Sequence, residues 1–272
     1  MQELLAHPAV QSAVAPLVVG LVVAVLLLPL RLSGLAGVAG FLVAVALIGN
    51  FSFSTLTATR KVVVLVAAAP LLGVVADFAF KPTRVAGPVL GVLFGAAALW
   101  VYWSVLAHQP LAQGLRLGSA VAALVLWTVA ATMPLQGDPV RVGAAGVALG
   151  VGAGIGAVLG ASALVGQYGI ALGAASGGYL LLVMMLGRRV SAGASLALTV
   201  AVGAALLACA AALLAQLPWA AAAALGLVPL AVRLPLPDRT HPGIQAVVAV
   251  FYALVPVAGC WALAWTASRG PS

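Results

Sequence analysis

Apolar runs long enough to cross a lipid bilayer follow one another from residue 8 to residue 266, and little chain is left between them. A helix rises 1.5 Å per residue, so about 20 apolar residues cover a hydrocarbon layer of about 30 Å. Counting runs between breakers predicts ten segments, at roughly 8–30, 33–53, 62–80, 85–107, 115–135, 140–165, 166–186, 191–215, 218–232 and 243–266. The ninth is the shortest and contains Pro229. A short tilted span, a re-entrant segment and part of a broken helix are all open to it.

Composition leaves no other solvent. Only 6% of the 272 residues are charged, 12 Lys+Arg and 4 Asp+Glu, against about 25% in soluble domains. Mean hydropathy is +1.25. A soluble fold lacks the polar side chains to cover its surface here, which excludes a cytosolic enzyme, a nucleic-acid-binding module and a disordered tail. The fold class that follows is all-α: a polytopic integral membrane helical bundle of about ten transmembrane helices. It forms one transmembrane domain, 1–272, with no soluble domain. Five spans on either side of residue 136 give possible halves, 1–136 and 137–272. Such halves would be inverted in topology, the plan of many secondary transporters. The first run lacks the positive stretch of a cleavable signal and reads as a signal anchor.

The basic residues are an orientation signal. Alternate connections hold Arg31, Lys81, Arg84, Arg141, Arg188, Arg189, Arg233 and Arg239, against Arg60, Lys61, Arg116 and Arg269 in the other set. Lys and Arg accumulate on the cytoplasmic side, so the first set is expected there and both termini outside, in a cell membrane of bacterial inner-membrane type. Tryptophan prefers the interface, and Trp100, Trp103, Trp219, Trp261 and Trp265 all fall on the outer side in this scheme. Trp127 lies within a span, and Arg60-Lys61 is the misfit.

Glycine carries the densest pattern. Gly146, Gly150 and Gly154, then Gly152, Gly156 and Gly160, recur at four-residue steps in the sixth segment, and Gly169, Gly173 and Gly177 in the seventh. Four-residue spacing puts each set on one helix face and lets two backbones approach. The sixth and seventh helices are therefore expected as a close-packed hairpin at the centre, turning at Gly166-Gln167-Tyr168-Gly169. Helix packing and a rocking interface around a substrate path both fit this pattern.

Ionisable groups in lipid are expensive and mark candidate sites. Asp77 lies near the end of the third helix with Lys81 four residues on, so an i,i+4 pair and a coupling carboxylate are both open. Asp138 before Pro139 reads as a helix N-cap. The polar run Asn50, Ser52, Ser54, Thr55, Thr57 and Thr59, ending at Arg60 and Lys61, is either an outer loop or a vestibule that draws an anion. Gln167, Tyr168 and Tyr179, with Thr128, Thr132 and Ser176, either bond between helices or face a cavity. Pro16, Pro70, Pro229 and Pro256 free backbone carbonyls within spans. His7, His108 and His241 sit at helix boundaries and share no face, and Cys209 and Cys260 lie in apolar runs. No metal site, cofactor, nucleophilic triad or carboxylate pair for acid–base work is expected.

These residues point to a small-solute permease with a path between the helix halves. The alternatives are a non-catalytic membrane subunit or scaffold anchoring a partner complex and, last, an intramembrane enzyme acting on lipid. Expected partners are membrane lipids and other membrane subunits or further copies of the chain, with no nucleic acid.

Overall fold

Lipid offers no partner for a free N–H or C=O, so each segment must close its own backbone hydrogen bonds. The computed structural model describes residues 7–48, 57–79, 85–237 and 240–269, and among these there is helix and no strand. Ten apolar segments follow in order: α1 (Val10–Leu26), α2 (Ser33–Leu47), α3 (Ala58–Ala79), α4 (Ala86–Leu106), α5 (Leu111–Leu135), α6 (Pro139–Leu159), α7 (Ala163–Leu186), α8 (Gly193–Leu214), α9 (Trp219–Ala231) and α10 (Pro242–Ser268). Seven of them, α3 to α8 and α10, are long and apolar enough to cross a membrane; α1, α2 and α9 are shorter. The chain is thus a multi-pass, all-α membrane bundle.

The short α9 still runs the length of its neighbour. At one end the Gln216 N–H donates to the Gly160 carbonyl at 2.8 Å, and at the other an Arg141 guanidinium N–H donates to the Val232 carbonyl at 2.8 Å. Gly160 and Arg141 are the two ends of α6. The helix is broken around Gly226-Leu227, ahead of Pro229. The Trp127 indole N–H donates to the Gly226 carbonyl at 2.8 Å, which accounts for a tryptophan placed inside a span.

Several expected boundaries move. The turn between α6 and α7 lies at Gly160-Ala161-Ser162, with Ala161 at φ +68. The expected turn at Gly166–Gly169 is instead the start of α7, because Ser162 takes the extended backbone of an N-cap. α5 begins at Leu111, directly after Pro110. α3 begins at Ala58, so Arg60 and Lys61 are helical. Lys61 Nζ sits 4.9 Å from the Trp100 ring centroid, a cation–π contact that parks the charge at the helix end.

Two glycine-lined contacts organise the bundle. At the α6–α7 crossing a side chain at Gly150 would run into the backbone of Gly173, and one at Gly154 would meet the Ile170 nitrogen at 2.6 Å. Backbones therefore touch where lipid would otherwise fill the gap. Beside this hairpin stands α8, buried without interruption from Ala194 to Ala211. A helix apolar on every side belongs in an interior, and the Ala, Gly and Ser content of α8 lets α3, α5, α6 and α7 close around it. The central element is thus α8, with the expected α6–α7 hairpin against it. α1 and α2 pack on the back of α7, α10 packs on α6, and α4 reaches the rest chiefly through α5. Exposed stripes such as Val14, Val18, Val22 and Val25 on α1, and Val247, Phe251 and Val255 on α10, turn outward.

Loops on one side converge. The Ser191 hydroxyl donates to the Arg31 carbonyl at 2.9 Å, the Asp77 carboxylate lies against Gly193, and an Arg233 N–H donates to the Ala131 carbonyl at 2.6 Å. α2, α4, α6, α8 and α10 all begin here, and we call this side the basic face. Introducing Val at Gly150 should cost about 1–3 kcal/mol by overpacking, read as a lower unfolding midpoint in detergent. Gly259→Ala, whose new methyl meets nothing within 4 Å, should shift stability by less than about 0.5 kcal/mol.

Candidate functional site

At the basic face α8 starts with Gly193, and its local N-cap, Ala192, has no side-chain acceptor. The first-turn N–H groups need one. Asp77, from the last turns of α3, supplies it: its carboxylate oxygens accept the Ala194 N–H at 2.7 Å and the Ser195 N–H at 3.3 Å. An anion at a helix N-terminus also meets the positive end of the helix dipole. Gly193 permits the approach, since its φ is +66 and a side chain there would collide with the Asp77 carboxylate. Asp77 thus caps a helix 117 residues away in sequence. Lys81 lies outside the described residues, as does Asn50.

Asp138 plays the same part locally. Its Oδ1 accepts the Val140 and Arg141 N–H groups at 3.1 and 3.3 Å, and its Oδ2 accepts the Arg141 Nε–H at 3.1 Å. Among the described residues, Arg141–Asp138 is the only ion pair, and Asp77 and Asp138 are the only acidic residues.

Both carboxylates line one opening. A cleft of about 810 Å³ is walled by Leu72, Val75 and Asp77 of α3, Val89 and Leu90 of α4, and Met133 and Gln136 at the end of α5. It runs on into a polar recess of about 430 Å³ lined by Asp138, Pro139, Ser191 and Ala192. Gln136, Gly137 and Gly193 belong to both. Leu72 to Asp77 is five residues of helix, about 7.5 Å, so the cleft enters one leaflet and stops short of the midplane. Its outer walls open to lipid, with Val75 52% and Val89 58% exposed.

On this face the cleft separates α3 from α4. On the opposite face Lys61 Nζ reaches the Trp100 carbonyl at 3.5 Å as well as the Trp100 ring. Two residues nearer the end of α4, the Tyr102 hydroxyl donates to the Leu206 carbonyl of α8 at 2.6 Å. The two helices therefore form a V, joined at one end and separated by the cleft at the other.

A second, apolar opening of about 410 Å³ lies between α4 and α5, lined by Leu99, Trp103, Gly114 and Gly118, while the interior of the bundle is closely packed. Where α5, α6, α8 and α9 meet, the void is about 10 Å³. Thr128, Thr132, Ser176 and Thr199 spend their hydroxyls on carbonyls one turn back in their own helices. Tyr168 is fully buried, its ring edge-on to Phe41 at 5.7 Å, and Gln167 is half-buried in the first turns of α7. Tyr179 is fully buried beside Gly143, and its hydroxyl has no hydrogen-bond partner among the described residues. Of the expected pathway residues, the structure brings Asp77 to the cleft. It leaves Gln167, Tyr168 and Tyr179 in the α6–α8 region, and Arg60 and Lys61 at the opposite face. Sequence reasoning missed Gln136, Ser191 and Gly193, which become neighbours only in the fold.

No family model, curated protein or solved structure matches this chain.

Asp77→Ala removes the α8 cap and should cost about 0.5–2 kcal/mol, whereas Asn caps about as well as Asp and should cost less. Gly193→Ala should exceed both, as it adds strain at positive φ to the clash with Asp77. Unfolding midpoints of the three variants test that order. Tyr179→Phe should leave the midpoint unchanged or raise it, because an unsatisfied buried hydroxyl costs about 1–3 kcal/mol. A fall after this substitution would reveal a partner for the phenol.

Proposed function

We propose that this multi-pass membrane protein is a small-solute permease whose mobile element is the α3–α4 V. The observation that carries the reading is the cleft at the open end of that V, bordered by a carboxylate, with α3 and α4 joined at the far end by Lys61–Trp100 and α4 tied to α8 by Tyr102–Leu206. Closing the V on the basic face and opening it on the other would alternate access around a fixed α6–α8 pillar. The route runs along α3 and α4, because backbone contacts leave no room between α6 and α7. We assign the basic face to the cytoplasm. Among the described residues Arg31, Arg141, Arg188, Arg189 and Arg233 belong to its loops and helix ends, against Arg60, Lys61, Arg116 and Arg269 elsewhere, and Lys and Arg set orientation.

A second reading, a non-catalytic scaffold subunit, draws on a different observation: the core is packed backbone to backbone at the α6–α7 crossing. One measurement separates them. Spin labels at Val75→Cys and Val89→Cys face each other across the cleft, and the native Cys209 and Cys260 are buried. Pulsed electron-spin distance measurements in nanodiscs should give two populations for a permease. A single narrow population would defeat the permease and leave the scaffold. For orientation, Arg189→Cys should resist a membrane-impermeant thiol reagent applied to intact cells, and rapid labelling would reverse the assignment.

A further inference from the structure

We infer that the α3–α4 cleft selects cationic amphiphiles, which enter sideways from the adjoining leaflet and place their charge against Asp77. This inference rests on the cleft being a solute site and adds the class of solute.

Three observations lead to it. First, the cleft opens laterally. Leu72, Val75, Val85 and Val89 line it and are also exposed on the outer surface, so its mouth faces acyl chains as well as the interface. A solute reaching it along that route must partition into lipid.

Second, polarity is graded along its length. The deep end is aliphatic, at Leu72 and Leu90, and the shallow end carries Asp77 and Gln136. An amphiphile in a leaflet lies the same way, with its tail inward and its head at the helix ends. The cleft therefore matches both the shape and the orientation of such a molecule before any binding energy is counted.

Third, the sign of the charge is set. Asp77 is the one charged side chain among the described residues lining the larger cleft, it is exposed, and among the described residues no cation pairs with it. Asp138 is already matched by Arg141. Two N–H groups and the α8 dipole hold the Asp77 carboxylate in place without supplying a full counter-charge, since a helix end carries only about half a unit. In the low-dielectric neighbourhood of the bilayer a carboxylate with no cation beside it among the described residues favours a cationic head over a neutral or anionic one.

The test is equilibrium binding of tetraphenylphosphonium to purified protein in nanodiscs, with empty nanodiscs subtracted. The expected result is saturable binding at one site. Asp77→Asn should weaken it at least tenfold while the unfolding midpoint stays close to that of the parent. Val89→Trp, which fills the apolar wall without touching the charge, should also abolish it. Triphenylphosphine oxide, a neutral molecule of similar form, should compete only at tenfold or higher concentration.

Two results would overturn the inference. Saturable binding unchanged within twofold in Asp77→Asn would show that the cleft does not select by charge. No saturable binding to the parent protein would show that it does not take cationic amphiphiles. The distance measurements across the V stand apart from both, so the permease reading can survive the loss of this solute class.

Discussion

Within a bilayer the hydrophobic effect does not drive helices together, because lipid tails are as apolar as leucine. Close packing has to do that work, and here it begins where α6 and α7 touch backbone to backbone at Gly150–Gly173 and Gly154–Ile170. That contact fixes a hairpin against which α8 can stand with residues 194 to 211 all buried. A helix surrounded on every side can offer no side chain to lipid and needs none. α3 and α5 then pack on the pillar, and α1, α2 and α10 on the hairpin. The same device recurs at the periphery. Gly91 and Gly95 of α4 let it lie against the Leu126 and Ala122 carbonyls of α5, where a side chain would come within 2.8 and 3.1 Å. Two tight units result, and the cleft lies where they meet without such a seam.

Broken backbone is handled by borrowed donors. Where α9 breaks, the Gly226 carbonyl is met by the Trp127 indole. Where α9 and α5 end, Arg141 and Arg233 reach the Val232 and Ala131 carbonyls. Where α8 starts, Asp77 collects two N–H groups. Trp127, Arg141, Arg233 and Asp77 each answer a specific backbone group at a helix break or end, as a medium without water requires. Asp77, Asp138, Arg141 and Arg233 therefore do structural service at the basic face whatever their part in orientation.

Much of the architecture was legible in the sequence because lipid imposes one length and one polarity on every span. Ten segments, the α6–α7 hairpin and the Asp138 cap followed from run length, glycine spacing and the Asp-Pro pair. Gly87, Gly91 and Gly95 carried the same four-residue signal for the α4–α5 seam and could have been read the same way. The start of α3 was misplaced because Arg60-Lys61 looks like a breaker until Trp100, 39 residues later, is found beside it. The α6–α7 turn was misplaced because Gly166 and Gly169 resemble turn residues, while Ser162 and Gly160 end the helices. The cleft was the least legible feature. It depends on Asp77 meeting Ala194 and on Gln136 approaching Gly193, and neither pairing leaves a trace in local pattern.

The cap at Asp77 joins the candidate site to the pillar, and this bears on how any movement would be felt. The carboxylate that borders the cleft is the one that satisfies the first turn of α8. A cation drawn to it competes with the Ala194 and Ser195 N–H groups for the same lone pairs. Occupancy would then loosen the contact between the end of α3 and the start of α8. Gly193 and Ala192 separate the capped Ala194 N–H from Ser191, which is bonded in turn to the α1–α2 turn at Arg31. A displacement of α3 at Asp77 is thus transmitted to two loops of the same face, while Tyr102 and Lys61 hold the far ends of α3 and α4. On the permease reading, the cap at Asp77 would let the α3–α4 V respond to what enters it without disturbing the glycine-packed core.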